Sequence, residues 1–283
     1  MNTDRVPAGA VEKHVISRDG TAIAYEQAGS GPPIVLVAAA LSDRGAARRL
    51  AEQLAGRFTV LNYDRRGRGR STDTQPYSPQ REIEDVEALI DAAGAPVFLF
   101  GSSSGAVLAL DAANHLGSKI RRLFLYEPPF IVDNSWPPLQ EGLTREAADL
   151  AAAGRRNEAV HLFFAQGMGI PGPAVTAMRY FMPGWSKMTG MAQTIPYDLS
   201  IVAGTQTGKP LPRDRWTGRI SPTLVVVGSK SELFFHNGAR ALAGLLPNVR
   251  YGSLEGEDHS AVLFAPKQLA AKVEQFFVAA EQP

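Results

Sequence analysis

Short, mostly apolar runs alternate along the chain with longer segments in which apolar residues recur every three or four positions. The apolar runs predict buried strands at residues 34–37, 59–63, 97–100, 122–126, 223–227 and 249–254. The periodic segments predict helices at residues 43–54, 80–93, 106–113, 239–246 and 266–280. Strands and helices that alternate in this way build a parallel sheet with helices on both faces. The pattern therefore predicts an α/β protein with a doubly wound, mostly parallel sheet.

A hairpin is expected ahead of this alternation. Residues 11–17 and 21–27 are both strand-like, and Arg18-Asp19-Gly20 separates them. An Asp-Gly pair between two such segments is a strong signal for a tight antiparallel turn. We therefore expect an antiparallel hairpin before the parallel strands begin.

The rhythm changes between residues 131 and 219. Helical pieces there, at residues 144–153, 158–164 and 174–181, are interrupted by glycine and proline. Because about 90 residues are too many for a simple connection, this interval predicts a helical lid over the carboxyl ends of the strands. The predicted domains are a core of residues 1–130 and 220–283 and a lid of residues 131–219. The many aromatic and methionine side chains of the lid either fasten it to the core or line a pocket for a bulky apolar substrate.

Composition narrows the possible functions. The 283 residues carry a formal net charge of +1, so no overall field attracts nucleic acid or an anionic membrane. No apolar run approaches the roughly 18 residues that span a bilayer, and residues 1–10 lack the apolar centre of a signal peptide. The lack of cysteine excludes disulfides and thiolate chemistry. We expect a cytoplasmic monomer or homodimer with a small-molecule substrate and no nucleic-acid or membrane partner.

The clearest chemical signal is the joint Gly101-x-Ser103-x-Gly105, which connects an apolar run to a helix. A sharp turn of this kind strains the residue at its tip, and glycines on either side let strand and helix approach closely. The tip residue, Ser103, would present its hydroxyl at a helix N-terminus, where backbone N–H groups favour negative charge. We therefore interpret Ser103 as a nucleophile.

Four features follow one another along the chain. They are the apolar strand and turn at 34–41, the loop Asp64-Arg65-Arg66-Gly67-Arg68-Gly69-Arg70-Ser71, the turn at 101–105, and a late Gly256-Glu257-Asp258-His259. Together they resemble the α/β-hydrolase fold superfamily over essentially the whole chain. The resemblance implies a serine hydrolase that uses a nucleophile, an acid and a histidine in that chain order, with no metal or organic cofactor. It also assigns the four arginines to a structural loop rather than to a nucleic-acid surface.

The resemblance further implies the partners of Ser103. His259, in the loop between the last strand and the last helix, corresponds to the base. The acid of the family is usually an Asp three residues past the glycine after the 223–227 strand, where this chain has Ser231. Two carboxylates can take its place, Glu127 and Glu232. We favour Glu127, which we expect the following prolines to hold in an extended conformation, and keep Glu232 as the alternative acid.

An oxyanion hole is implied by the same resemblance. The backbone N–H of Ser104 is one expected donor. The second donor comes from the turn after Val37, where the family often carries His-Gly and this chain has Ala38-Ala39-Ala40. We expect Ala40 to provide it, with Leu41 as the next candidate.

These residues predict an enzyme that cleaves a carboxylic ester or lactone of a small to medium, fairly apolar substrate through an acyl-enzyme. The same triad can serve C–C bond hydrolysis, perhydrolysis, or a lyase or cyclase step, and the sequence does not separate these reactions. The replaced acid and the missing His-Gly also fit a catalytically weak member of the fold that binds a ligand.

Overall fold

An eight-stranded sheet forms the centre of the computed structural model, which describes residues 9–278. The strands are β1 (Val11–Ile16), β2 (Ala22–Ala28), β3 (Pro33–Val37), β4 (Thr59–Tyr63), β5 (Val97–Ser102), β6 (Ile120–Tyr126), β7 (Thr223–Gly228) and β8 (Val249–Leu254). They lie in the order β1-β2-β4-β3-β5-β6-β7-β8. β1 pairs antiparallel with β2 and β2 with β4, and the other neighbours are parallel. The predicted sheet is confirmed, and the expected hairpin is present as β1 and β2.

The helices differ from the prediction mainly at their ends. They are α1 (Arg48–Leu54), α2 (Pro79–Ala93), α3 (Ser104–Leu116), α4 (Leu143–Ala152), α5 (Arg156–Leu162), α6 (Gly172–Phe181), α7 (Trp185–Gly190), α8 (Ile195–Ile201), α9 (Leu233–Leu245), α10 (Ala261–Phe264) and α11 (Pro266–Val278). A 3₁₀ turn at Arg44–Ala47 precedes α1 and divides the predicted helix 43–54. α9 begins at Leu233 rather than at residue 239, because Phe234 and Phe235 belong to its buried face. Residues 1–8 and the predicted helix end at 279–280 lie outside the described residues.

Alternate side chains of the central strands fill two separate cores, one on each face of the sheet. In β5, Leu99 lies in a core that includes the apolar faces of α2, α3 and α9. Its neighbours Phe98 and Phe100 lie in the opposite core, against side chains of α1 and α11. A strand covered by helices on both faces has no solvent-facing position. That is why the apolar runs in the sequence show no alternation with polar residues.

Residues 131–219 connect β6 to β7 and contain α4 to α8. The predicted pieces at 144–153, 158–164 and 174–181 correspond to α4, α5 with a π-helical turn after it, and α6. The short helices α7 and α8 were not predicted. Side chains of this segment form a third apolar cluster of their own, and Leu41 from the turn after β3 inserts into it. The segment therefore packs directly on the carboxyl end of β3.

Tyr197 of α8 is one of the residues that attach this helix to the loop after β4. The ring of Tyr197 stacks on Tyr77 with centroids 3.7 Å apart and planes 2° from parallel. Its hydroxyl donates to Asp73 at 2.7 Å and accepts from Gln75 at 2.5 Å. These contacts join the last helix of the 131–219 segment to the loop after β4.

The arginine-rich loop after β4 is largely internal. Arg65, Arg66 and Arg68 are buried, and each binds at least one carboxylate at 2.6 to 2.8 Å. Arg70 is exposed and binds Glu12. Guanidinium groups that are enclosed and paired in this way are not available to a phosphate backbone.

Arg66 joins the hairpin turn to the core. It donates to Asp19 at 2.8 Å and, with two nitrogens, to Asp85 at 2.7 and 2.8 Å. Burial acts to raise the pKa of Asp19, but hydrogen bonds from Arg66 and Thr21 outweigh it and bring the pKa to about 2. The folded protein therefore binds the Asp19 proton more weakly than the unfolded chain does. Its contribution to stability is present above the ordinary pKa and is lost as the pH falls through the folded value.

We expect Asp19→Asn to lower the free energy of unfolding by about 1 to 2 kcal/mol at pH 7. The loss should shrink as the pH falls from about 4 towards 2, because the carboxylate of the wild type is then protonated as well. Urea unfolding at pH 7 and pH 3 measures this difference, with the exposed Asp214→Asn as the matched control. An Asp19→Asn penalty of equal size at both pH values would contradict the ion-pair explanation.

Candidate active site

Ser103 occupies a strained turn between β5 and α3. Its backbone has φ 53° and ψ −127°, and its N–H donates to the Tyr126 carbonyl at 2.9 Å. A Cβ on Gly101 would lie 2.4 Å from the Gly105 carbonyl oxygen, and one on Gly105 would lie 2.4 Å from that of Ala38. Both glycines are therefore required for the close approach of α3 to the sheet. The turn predicted from the sequence is present, with Ser103 at its tip and lining a cavity.

Three strands end in strained residues at this place. Among residues 9–278, the non-glycine residues with positive φ are Leu41 (50°), Ser103 (53°) and Glu127 (49°). They follow the carboxyl ends of β3, β5 and β6, which are neighbours in the sheet. Such conformations cost about 1 to 3 kcal/mol each and concentrate at functional sites. The expectation that the following prolines hold Glu127 extended is wrong, because the chain turns sharply at this residue.

His259 is held by Glu127. Its Nδ1 lies 2.7 Å from Oε2 of Glu127, and its ring stacks on Phe235 with centroids 4.8 Å apart. A carboxylate only accepts hydrogen bonds, so Nδ1 carries the proton and Nε2 of the neutral imidazole is left as an acceptor. The His259 side chain is 31% exposed and lines the same cavity as Ser103. The two residues, which are distant in the sequence, therefore meet at one site.

The Glu127 carboxylate is fully buried and has three donors. Oε1 accepts from the backbone N–H of Gly228 at 2.7 Å and from the Ser231 hydroxyl at 2.5 Å, while Oε2 faces His259. Ser231 stands where the family usually has its acid, and it donates a hydrogen bond to a carboxylate that comes from the end of another strand. Glu232 is exposed at the start of α9, and it is Glu127 that contacts the histidine.

Gly228 also brings the histidine loop close. A Cβ at this position would lie 2.3 Å from the carbonyl oxygen of Glu257. The following residue, Asp258, accepts hydrogen bonds from the backbone N–H and the hydroxyl of Ser260 at 2.9 and 2.6 Å. The loop is thus shaped by its own turn and by contact with the end of β7, which directs His259 towards Glu127.

The expected oxyanion donors, Ala40 and Ser104, lie next to the place where Gly105 approaches Ala38. Ala40 follows the turn that touches Gly105, and Ser104 is the first residue of α3. Within residues 9–278, neither backbone N–H donates a hydrogen bond to another residue. Both residues line the cavity that also contains Ser103 and His259. Leu41, the other candidate, is buried, lines the same cavity and has the positive φ described above.

The cavity has a volume of about 630 Å³ and lies between the carboxyl ends of β3 and β5 and the 131–219 segment. Part of that segment gives the cavity an apolar wall, which is made of Phe163, Phe164, Met168, Ile170, Met182 and Met188. Polar groups other than the residues above are few and include Asp198, Gln206 and Lys230. A cavity of this size and lining suits an apolar small molecule.

Neither a group of metal-binding side chains nor a membrane-spanning helix is found in the part of the chain that the structure describes. Among residues 9–278, no three His, Asp or Glu side chains form a group that could bind a metal ion. No helix in the same range is long and apolar enough to cross a membrane.

Sequence reasoning missed Asp198, which lines the cavity, and the role of Ser231 as a donor to Glu127. The sequence offers one sign of Asp198, which is the single charged residue in the mostly apolar stretch 195–201. Phe235, the stacking partner of His259, was left outside the predicted helix. None of these contacts follows from local spacing, because each joins residues that only the fold brings together.

The model of the alpha/beta hydrolase family matches residues 24–272. The chain belongs to this family. An alpha/beta hydrolase from Sphaerobacter thermophilus has a crystal structure that superimposes with a TM-score of 0.85 at 45% sequence identity, over 94% of this chain and 100% of that one. The resemblance inferred from the sequence is thereby confirmed.

Curated relatives of this alpha/beta hydrolase match over shorter stretches. The uncharacterized hydrolase YraK of Bacillus subtilis is 34% identical over 113 residues, which are 38% of this chain and 42% of YraK. A pimeloyl-[acyl-carrier protein] methyl ester esterase of Chromobacterium violaceum is 32% identical over 150 residues, 52% of this chain and 58% of the esterase. The chain thus spans about half the length of these relatives. Both relatives are consistent with the family match.

The close approach at the start of α3 gives a stability prediction. We expect Gly105→Ala to destabilise the protein by about 1 to 3 kcal/mol, because the added Cβ meets backbone atoms that cannot move aside. Gly244→Ala is the matched control, since Gly244 also lies in a helix but a Cβ there meets nothing within 4 Å. It should stabilise by about 0.5 to 1 kcal/mol. Chemical unfolding of the three proteins decides the matter, and equal stability of the two variants would show that the packing argument is wrong.

Proposed function

We propose that this protein is a serine hydrolase that cleaves a carboxylic ester or lactone through an acyl-enzyme. Ser103 is the nucleophile, His259 the base and then the acid, and Glu127 the carboxylate that orients the imidazole. The observation that carries the proposal is that the imidazole bound by Glu127 and the hydroxyl of Ser103 line one cavity. No metal or organic cofactor is needed for this chemistry.

The first half of the reaction forms the acyl-enzyme. Because Nδ1 of His259 donates to Glu127, Nε2 can accept the proton of Ser103 as its oxygen attacks the substrate carbonyl. The carbonyl oxygen becomes negatively charged, and the N–H groups of Ser104 and Ala40 stabilise it. The imidazolium then gives its proton to the leaving oxygen, which departs as an alcohol.

The second half releases the acid. Nε2 of His259 accepts a proton from a water molecule, whose oxygen attacks the acyl carbonyl of the ester on Ser103. The same backbone donors stabilise the second tetrahedral intermediate. Its collapse returns the proton to Ser103 and frees the carboxylic acid. Glu127 orients the imidazolium and stabilises it in both halves.

The cavity supports an apolar acyl or alcohol group of small to medium size. Most side chains that the 131–219 segment contributes to its lining are apolar, among them phenylalanine, methionine and isoleucine, and Asp198 and Gln206 are polar exceptions. Methionines adapt to ligands of irregular shape, which favours a bulky apolar group over a compact polar one. One relative is by name a methyl ester esterase, which favours ester hydrolysis among the reactions that this triad can serve.

Ser103→Ala tests the proposal directly. We expect the turnover of p-nitrophenyl acetate or butyrate to fall by roughly 10⁴- to 10⁶-fold, because the variant lacks the attacking oxygen. A fluorophosphonate probe should label wild-type Ser103 and leave the variant unlabelled. Equal hydrolysis rates would rule out the proposal. Labelling without turnover of any ester or lactone in a panel of graded size would instead favour C–C bond hydrolysis or a lyase step.

The identity of the acid has its own test. We expect Glu127→Gln to reduce kcat by roughly 10³- to 10⁴-fold, because the amide no longer stabilises the imidazolium. Glu232→Gln is the matched control, since it makes the same change at the exposed cavity mouth, and its kcat should stay within about threefold of wild type. Thermal unfolding checks that both variants are folded. The opposite order of the two losses would identify Glu232 as the acid.

A further inference from the structure

A buried carboxylate outside the proposed triad contacts the residue that follows the nucleophile. Asp198, on α8, is buried and lines the same cavity as Ser103. Its Oδ1 accepts a hydrogen bond from the Ser104 hydroxyl at 2.7 Å. The reaction steps proposed above use the backbone N–H of Ser104 and make no use of its hydroxyl or of Asp198. This contact therefore needs an explanation of its own.

Two buried arginines bind the same carboxylate. Nη1 of Arg65 lies 2.8 Å from Oδ1 of Asp198, and Nη2 of Arg68 lies 2.6 Å from Oδ2. Burial acts to raise the pKa of Asp198, but the two guanidinium groups outweigh it and hold the pKa below its ordinary value. Asp198 is therefore ionised at neutral pH. The arginines neutralise a negative charge that would otherwise oppose a developing oxyanion in the cavity.

The same two arginines hold the turn after β3. Nη1 of Arg65 donates to the carbonyl of Ala38 at 3.2 Å, and Nη1 of Arg68 donates to the carbonyl of Ala39 at 2.8 Å. These carbonyls belong to the two residues before Ala40, the proposed second oxyanion donor. One carboxylate is thus linked to both proposed donors, directly on one side and through the arginines on the other.

Stability alone explains such a network poorly. Buried ion pairs return little more than the cost of removing their charges from water, and apolar replacements are often as stable. Geometry is the more demanding requirement, because oxyanion donors act only when they are fixed at hydrogen-bond distance before the reaction. Here the donors come from the ends of β3 and β5, which pair in the sheet as far as Val37 and Gly101. Beyond that pair the network continues the connection between the two chain segments.

We propose that Asp198 is a positioning residue, which acts through Ser104, Arg65 and Arg68 to fix the two backbone donors of the oxyanion hole relative to each other. The inference rests on the function proposed above. Asp198 transfers no proton and forms no bond to the substrate. It stabilises the transition state by keeping the N–H groups of Ser104 and Ala40 where the oxyanion forms.

Asp198→Asn tests the inference, because it keeps the shape of the side chain and removes its charge. We expect kcat for p-nitrophenyl butyrate to fall about 10- to 100-fold, with KM unchanged within about threefold, since misplaced donors affect the transition state alone. The rate constant for labelling of Ser103 by a fluorophosphonate should fall by a similar factor. The phosphoryl oxygen of that probe uses the same donors.

Tyr197→Phe is the matched structural control. It lies on the same helix and loses the hydroxyl contacts to Asp73 and Gln75, but it leaves the Asp198 network intact. We expect a lower Tm, with kcat, KM and the labelling rate all within about threefold of wild type. A loss in Asp198→Asn that Tyr197→Phe reproduces would reduce Asp198 to an anchor of α8 and overturn the inference.

Ser104→Ala provides a second variant, which removes one hydroxyl and retains the backbone N–H. It should lower kcat and the labelling rate by less than Asp198→Asn, and the double variant should be no worse than Asp198→Asn alone, because both changes break one linkage. Should Asp198→Asn fail to fold, Ser104→Ala carries the test, and unchanged kcat and labelling in that variant would overturn the inference.

The remaining outcomes separate this inference from the proposed function. A wild type that turns over esters and is labelled at Ser103, with Asp198→Asn equal to it, overturns the inference and leaves the function standing. A rise in KM with unchanged kcat also overturns it, because Asp198 would then bind substrate. A wild type that neither turns over esters nor is labelled at Ser103 refutes the function itself.

Discussion

The arrangement of the site depends on the enclosure of one carboxylate. An ionised side chain that is removed from water must have its oxygens paired, or its burial costs several kcal/mol. Glu127, which is 0% exposed, meets this requirement with a backbone N–H at the end of β7, a hydroxyl at the start of the next loop, and the imidazole of His259. Pairing this carboxylate therefore draws the ends of two strands and the histidine loop together. The imidazole of His259 is oriented by its hydrogen bond to this enclosed side chain.

Parallel strands bring the remaining groups to the same edge. β3, β5 and β6 are neighbours and run in one direction, so the residues that follow them lie side by side although the sequence separates them. At each of these exits the chain turns through a conformation that side chains rarely adopt, at Leu41, Ser103 and Glu127. Strain of about 1 to 3 kcal/mol per residue persists only where the surrounding packing enforces it. The close approach of Gly105 to Ala38 shows how tightly the chain is packed around two of these turns.

Local patterns in the sequence were sufficient for the strands and for the strained turn at Ser103, whereas the role expected for His259 came from the resemblance to the family. Apolar runs and glycine spacing express interactions between near neighbours, and the structure has the sheet that they predict. The choice between Glu127 and Glu232 was different in kind, because it depends on which carboxylate the fold encloses. The contacts of Asp198 could not have been found from the sequence, since its partners Ser104 and Arg65 lie far away in the chain and α8 is too short to show a periodic pattern.

The segment between β6 and β7 is attached unevenly to the rest of the protein. α8 is held by the stacked rings of Tyr77 and Tyr197 and by the buried charges around Asp198. α6 buries only Val175, and Phe181 at its end is 84% exposed. Local opening costs least where the fewest apolar contacts are lost. Displacement of α6 therefore needs less free energy than displacement of α8. The groups around Ser104 are thus held by the part of the segment that is harder to displace, which suits the role proposed for the backbone N–H of Ser104.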